Sequence, residues 1–413
     1  MTRSFESKLS HYRAHRILDT HARALVNRHR STFRPLVKPT SPSSFTHRTW
    51  AEIDLDALRH NLAAVRAQVG AGVQVMAVVK ANAYGHGVGP VVRALAGRVE
   101  MFGVANVREA VEVREHLADA PVFILGPALA EERAEIVARR FVPAISSLDE
   151  ARAYAALAGA EPLAVHLKID TGMGRVGIWE GEAVAAAREI LALRGLRITG
   201  LASHLPVADE DDAFTREQLA HFHATVAQLR ALGLADAVVH VENSAGLIGF
   251  PAQAGGMVRP GLMLYGSAPR PEFQPRLRAV MTWKTRIALL RTAPAGHGIS
   301  YGRTFQTTAP TRVATLPVGY ADGYRRHLSG SGAQVLIRGQ RCPVLGRVTM
   351  DQIVADVTAL PAVEVGDEVV LMGRQGAEEM RAAELAAKAG TIAWEIFTGI
   401  GWRVERICLE NPQ

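Results

Sequence analysis

Lys80 closes a short, β-branched-rich run, Gln74 to Val79, and precedes a glycine-bearing turn and the apolar-periodic helix Val88 to Arg98. At a strand end the lysine stem is partly desolvated, which lowers the ammonium pKa and frees the amine as a Schiff-base nucleophile or proton-transfer base. Alone the signal is weak, because most lysines are surface cations with solvated heads. The same placement recurs, however. His166, Lys168 and Asp170 share one face of LAVHLKID by period-two alternation, and His204, Glu242, Ser244 and Arg259 end later apolar runs. A structural network such as a Lys168 to Asp170 ion pair accounts for two or three of these. It accounts poorly for polar ends on five strands, since each buried charge needs a partner and adds little net stability. In MVRPGLMLYG (257–266), Gly261 and Leu262 can offer backbone N–H groups to a phosphate, with the Ser244 hydroxyl beside them, although a tight turn is the plain reading of Gly261. A lysine nucleophile facing a phosphate site suggests pyridoxal 5'-phosphate.

From residue 50 onward, a short apolar strand alternates with an amphipathic helix. After an opening helix, Leu55 to Val69, capped by Asp54, strands are predicted near 73–80, 101–106, 121–126, 141–146, 163–170, 197–204, 237–244 and 257–264. Helices are predicted over 106–118, 130–140, 148–159, 181–194 and 213–232. Eight strands in this rhythm predict an α/β fold, a TIM barrel over 49–281, and no G-x-G-x-x-G turn competes for a dinucleotide. Beyond 282 alternating strands and turns, including a hairpin at Arg338-Gly339-Gln340, predict a mostly β C-terminal domain over 282–413 with one helical run, Glu378 to Ala389.

The 413 residues are 48% hydrophobic, enough for two domains, and no stretch reaches the roughly 18 to 20 apolar residues of a membrane helix. Cys342 and Cys408 are the only cysteines, which argues against a disulfide framework or structural zinc and fits a reducing cytosol; no metal site is expected. The net charge of +7 is concentrated at one end: residues 1–48 carry ten Lys/Arg against Glu6 and Asp19, leaving the other 365 residues close to neutral. That stretch is expected to be a poorly ordered extension without a catalytic role. A transit-like segment, a tether to nucleic acid or membrane surface, and an upstream start codon are its other readings. The body itself is not expected to bind nucleic acid.

The chain resembles alanine racemases, pyridoxal-phosphate enzymes built from a TIM barrel and a C-terminal β domain. Eight separated motifs carry the resemblance in the family's order: AVVKANAYGHG, LKIDTGMGRVG, SHLPVADE, NSAG, MVRPGLMLYG, GHGISYGRTF, LPVGYADGY and GRVTMDQ. The resemblance covers residues 49 to about 407, and residues 1–48 fall outside it.

The resemblance implies that Lys80 holds the cofactor as an internal aldimine and then serves as the base on one face of the substrate Cα, with Tyr301 as the base on the other. A phenol with an ordinary pKa of about 10 needs help near neutrality, and His204 and Arg259 are the family's candidates. Arg259 would donate to the pyridine nitrogen without giving up its proton, leaving a weak electron sink that suppresses transamination. Decarboxylases of similar plan place a carboxylate there and a motif cysteine in the second domain, where this chain has Thr349 before Met350-Asp351. Tyr84, Ser244, Gly261 and Leu262 would hold the phosphate. Arg175 would bond the phenolic oxygen beside Lys168, which the family often carbamylates. Met350 and Asp351 would line the substrate side with Arg175. In that fold Tyr301 and Met350 reach the site of the other subunit, which implies a homodimer.

One position departs from the pattern: Trp394 stands where the family usually has a tyrosine touching the phosphate, which bears on turnover and substrate range. The function expected is interconversion of L- and D-alanine, in the cytoplasm, to supply peptidoglycan. The other readings are a broad amino-acid racemase and, from a different class, a non-catalytic pyridoxal-phosphate carrier.

Overall fold

The computed structural model describes residues 47–252 and 254–410. Most of the basic N-terminal stretch thus lies outside the described residues. The first strand, β1 (Thr49–Asp54), alternates buried and half-buried positions along TWAEID. Asp54 then caps helix Leu55–Val69 by accepting from the Ala57 amide at 2.8 Å, and Gly70, at a φ of 81°, ends it.

Eight parallel strands follow: β2 (Gln74–Val78), β3 (Met101–Val104), β4 (Val122–Ile124), β5 (Val142–Ile145), β6 (Leu163–Asp170), β7 (Leu196–Ala202), β8 (Val238–His240) and β9 (Met257–Val258). Their order, β9-β2-β3-β4-β5-β6-β7-β8, is that of a barrel, and one parallel bridge between Asn243 and Arg259 closes it. Side chains fill the inside. Met76, Phe123, Ala144 and Met257 form a small core there, while the larger apolar core lies between the strands and their helices.

Three strands end sooner than their apolar runs suggest. The continuous strands end at Ala202, His240 and Val258, so His204, Glu242, Ser244 and Gly261 lie beyond them. Two causes are local. Asn243 Oδ1 accepts from the Ala245 and Gly246 amides at 3.1 and 2.9 Å and bends the chain, and Pro260 has no N–H to extend β9.

The second sheet comprises β10 (Met281–Arg286), β11 (Leu289–Ala293), β12 (Thr311–Leu316), β13 (Gln334–Ile337), β14 (Gln340–Leu345), β15 (Ile353–Asp356), β16 (Glu368–Gln375), β17 (Glu378–Met380) and β18 (Glu405–Leu409). Its order is β11-β12-β15-β14-β13-β16-β10-β1-β18, with β17 on β16. The expected hairpin joins β13 to β14, with Arg338 and Gly339 both at positive φ.

Two assignments change. β1, placed with the barrel by its position in the chain, pairs antiparallel with β10 and parallel with β18 in this second sheet. The helix expected over Glu378 to Ala389 begins only at Ala382, because Glu378–Met380 folds back onto Gly373–Gln375 through Gly376 at a φ of 63°. Sheet pairing there outweighs the helix propensity of Glu and Met.

Candidate active site

Lys80 does not sit in an ordinary glycine turn. The four residues after it, Ala81, Asn82, Ala83 and Tyr84, all have φ between 52° and 54°, a single left-handed helical turn without a glycine. Such backbone costs roughly 1–2 kcal/mol per residue, so it needs anchors. Asn82 Oδ1 accepts from the Val88 amide at 2.8 Å, and His86 Nδ1 bonds the Ala83 and Tyr84 carbonyls at 3.1 and 3.0 Å. Arg406, from β18, donates to the Gly85 carbonyl at 2.9 Å. A side chain at Gly85 would place Cβ 2.4 Å from the Phe397 carbonyl oxygen, so the second sheet's layer packs directly on this turn.

The turn delivers Lys80 to a cavity of about 480 Å³ at the carboxyl ends of the barrel strands. Tyr84 lines it from the same turn, Lys168 and Arg175 from β6 and the loop after it, and His204 from beyond β7. Ser244 follows β8, Arg259, Gly261 and Leu262 follow β9, and Trp394 enters from the second domain. These are the ten residues singled out from the sequence as candidates for holding the cofactor. Ser244 Oγ accepts from the Gly261 and Met263 amides at 3.0 and 3.4 Å. A Cβ on Gly261 would meet Tyr84 Oη at 2.5 Å, so glycine is needed here for close approach.

Basic side chains crowd the cavity wall. Burial lowers the pKa of half-buried Lys80, and Arg175 and Arg259 push the same way while Glu109 opposes. Lys168 is fully enclosed and falls well below the ordinary lysine range, through burial first and then Arg259 and Arg175. Asp170 is not engaged as its ion-pair partner. Its Oδ1 accepts from the amides of Gly172, Met173 and Gly174 at 3.0, 2.9 and 3.1 Å, and its Oδ2 from Arg175 at 3.0 Å. Burial raises the Asp170 pKa, but those four amides outweigh it and the carboxyl stays ionised. It thereby shapes the loop that carries Arg175.

Arg259 is the hub of the buried polar layer. Its Nη2 donates to the carbonyls of Ser203 and Val241 at 2.7 and 3.0 Å and meets His204 Nδ1 at 3.2 Å, while its Nη1 meets His240 Nδ1 at 2.8 Å. His240 Nε2 lies in turn 2.8 Å from His166 Nδ1. Burial and then Arg259 lower all three imidazoles, so each is a neutral group inside the barrel.

Three candidates lie elsewhere. Tyr301, after Ser300 at a φ of 63°, is 70% exposed, and Met350 is 52% exposed. Neither lines the Lys80 cavity. Asp351 lies beside Met350, its carboxylate bound by Arg403 Nη1 at 2.8 Å. Backbone bonds from Tyr320 to Thr349 and from Ala321 to Met350, each 3.0 Å, lock the two motif loops together.

Residues 53–269 match the profile of the alanine racemase N-terminal domain, and residues 280–408 that of the alanine racemase C-terminal domain. The chain belongs to the alanine racemase family. It is 44% identical to the alanine racemase of Halothermothrix orenii over 367 residues, which cover 87% of this chain and 97% of that one. The solved alanine racemase of Clostridium difficile superposes with a TM-score of 0.83 at 34% identity, covering 89% and 97% of the two chains. That of Bacillus anthracis with bound L-Ala-P gives 0.81 at 34%, covering 89% and 96%.

Within this alanine racemase fold several residues matter that sequence reasoning passed over. His240 completes the imidazole chain, and its position two residues before Glu242 in VVHVEN was a usable signal. Glu109 and Arg406 hold the lysine turn from outside. The pattern Asn106-x-x-Glu109 marks a helix start, but nothing local connects it with Ala81.

Proposed function

We propose that this chain racemises alanine with pyridoxal 5'-phosphate, with Lys80 as the group that holds the cofactor and moves the proton on one face of Cα. One observation carries the reading: a single cavity gathers Lys80, the group Tyr84, Ser244, Gly261 and Leu262, and an arginine with its histidine neighbours. The residues fit the cofactor on their own chemistry. Tyr84, Ser244, Gly261 and Leu262 line one part of the cavity with hydroxyl and backbone groups of the kind that bind an anion. Arg175 and Arg259 make the wall positive, and about 480 Å³ lies in the range of small cofactor sites.

Bound there, the cofactor supplies an electron-withdrawing ring that acidifies the Cα–H of an amino acid. The protein does the rest. Lys80, with its pKa lowered chiefly by burial, exists more readily as the free amine that accepts a proton from Cα and returns it. Arg259 can only donate, and its bonds to two carbonyls and two imidazoles fix it, so the ring nitrogen it would face gains a hydrogen bond but no proton. That arrangement favours reprotonation at Cα over transamination. Arg175 and Trp394 would complete the cofactor's surroundings. Lys168, its pKa brought well below the ordinary lysine range by burial, is chemically suited to add carbon dioxide and become an anion beside Arg175.

We further infer that two copies share their sites. Tyr301 and Met350 are exposed and stand apart from their own chain's cavity, which supports a partner subunit as their place of work, with Tyr301 as the base on the second face of Cα and Met350 and Asp351 along the substrate. With Thr49–Asp54 moved to the second sheet, the division into a barrel over 49–281 and a β domain over 282–413 corresponds to two functions, cofactor holding and site completion. Supply of D-alanine for peptidoglycan in the cytoplasm is the corresponding role. Two free cysteines support such a compartment, and no helix among the described residues is long and apolar enough to cross a membrane.

The test is conversion of L-alanine to D-alanine, and the reverse, by the purified holoenzyme beside Lys80→Ala, with an absorbance spectrum of each. Activity and a lysine-linked chromophore in the wild type, both lost in Lys80→Ala, are expected. A wild type that retains the chromophore but turns over no alanine overturns the reading in favour of a carrier. A panel of serine, lysine and arginine separates a broad racemase from one confined to alanine.

A further inference from the structure

The turn that presents Lys80 needs restraint from beyond itself, because four successive non-glycine residues near a φ of 53° occupy a region that L-residues avoid. Glu109 supplies a large share. Its Oε1 accepts from the Ala81 amide at 2.8 Å and its Oε2 from the Ala105 amide at 2.7 Å. Ala81 is the first left-handed residue and the neighbour of Lys80, while Ala105 directly follows β3, the strand paired with β2. One carboxylate therefore ties the turn to the end of the adjacent barrel strand through two charge-assisted bonds.

The anchor is itself well seated. Glu109 lies in the first turn of helix Val107–His116, where Asn106 Oδ1 accepts from its amide at 3.1 Å. Among the described residues no cation forms an ion pair with Glu109, so both oxygens serve the backbone. It does not line the cavity and touches neither cofactor nor substrate there.

We propose that Glu109 is a positioning residue for Lys80, holding the left-handed turn so that the amine stays at the cavity wall. This rests on the reading that Lys80 holds the cofactor. The charge of Glu109 acts separately from this anchoring: burial, Arg175 and Arg259 lower the Lys80 pKa, and Glu109 partly offsets them.

The test uses holoenzyme carrying Glu109→Gln, Glu109→Ala or Asn106→Ala, with Lys80→Ala alongside. Glutamine keeps one acceptor oxygen and presents an NH₂ that cannot accept, so it opposes one amide of the pair without emptying the space. For Glu109→Gln we expect kcat to fall about tenfold with KM nearly unchanged, and hydroxylamine to strip the cofactor several-fold faster, at a similar melting temperature. Glu109→Ala should do more. Asn106→Ala weakens the same helix without touching the turn, and should lower the melting temperature while kcat and the stripping rate stay at wild type.

Wild-type kcat and stripping rate in Glu109→Gln would overturn the proposal. So would an Asn106→Ala variant that reproduces the Glu109 effects, because the role would then be helix stability alone. Full racemisation by Lys80→Ala would instead remove the reading of Lys80 on which the proposal stands.

Discussion

Nη1 of Arg259 lies 2.8 Å from Nδ1 of His240, and because a guanidinium only donates, His240 must accept there and carry its proton on Nε2. That Nε2 then donates to His166 Nδ1, 2.8 Å away, so His166 also carries its proton on Nε2. A fixed cation thus orders a row of neutral imidazoles through the barrel.

This row has a cost in acid. Burial and Arg259 hold His166 at about 3, and in the lysine turn burial holds His86 at about 4, against an ordinary 6.5. Below pH 6.5 the unfolded chain takes up protons that the folded chain refuses, so stability is full above that value and is lost as pH falls towards 3. Each such histidine contributes a slope of about 1.4 kcal/mol per pH unit within its window. Urea midpoints at pH 7.5 and 5 should show a clear fall, and equal midpoints would contradict neutral burial.

Gly261→Ala should weaken cofactor retention. The added Cβ would lie 2.5 Å from Tyr84 Oη and 2.9 Å from Cζ, an overpacking worth about 1–3 kcal/mol. Adding Tyr84→Phe removes the closer contact, so the double variant should recover part of the loss in a cofactor titration. No recovery would place the clash elsewhere.

Trp394→Ala should change which amino acids turn over. Trp394 is half-buried and lines the cavity, and truncating it opens space on that wall. The ratio of kcat/KM for lysine to that for alanine should rise roughly tenfold or more. An unchanged ratio would leave Trp394 as packing only.

Shared sites predict rescue between two inactive chains. Lys80→Ala and Tyr301→Phe should each be nearly inactive alone, and re-equilibrated in equal amounts they should recover about a quarter of wild-type activity, since half the dimers then hold one intact site. No recovery in verified mixed dimers would return both residues to one chain.

The barrel was legible because its strands are short, mostly apolar runs, five of which end in polar residues, the pattern of a parallel sheet covered on both sides. The cavity was legible for the same reason: Lys80, Lys168, His204 and Arg259 stand where those runs end. What escaped depends on distant partners. TWAEID alternates like any strand, but its ladder partners lie at Met281–Thr285 and Glu405–Leu409, beyond the reach of local pattern. The left-handed turn is invisible in KANAY, since Ala and Asn there carry no mark of positive φ and the restraint comes from Glu109 and Arg406. Glu378–Met380 misled by propensity, which its pairing with Gly373–Gln375 overrode.

The placement of β1 between β10 and β18 reaches beyond architecture. The strand made first on the ribosome lies between two made some 230 and 350 residues later, with the whole barrel threaded between. During synthesis β1 must therefore wait for β10, and its other edge stays bare until the last strand emerges. A ribosome that stops short of Glu405 would release a chain whose sheet ends in a bare edge, ready to pair with a neighbour's.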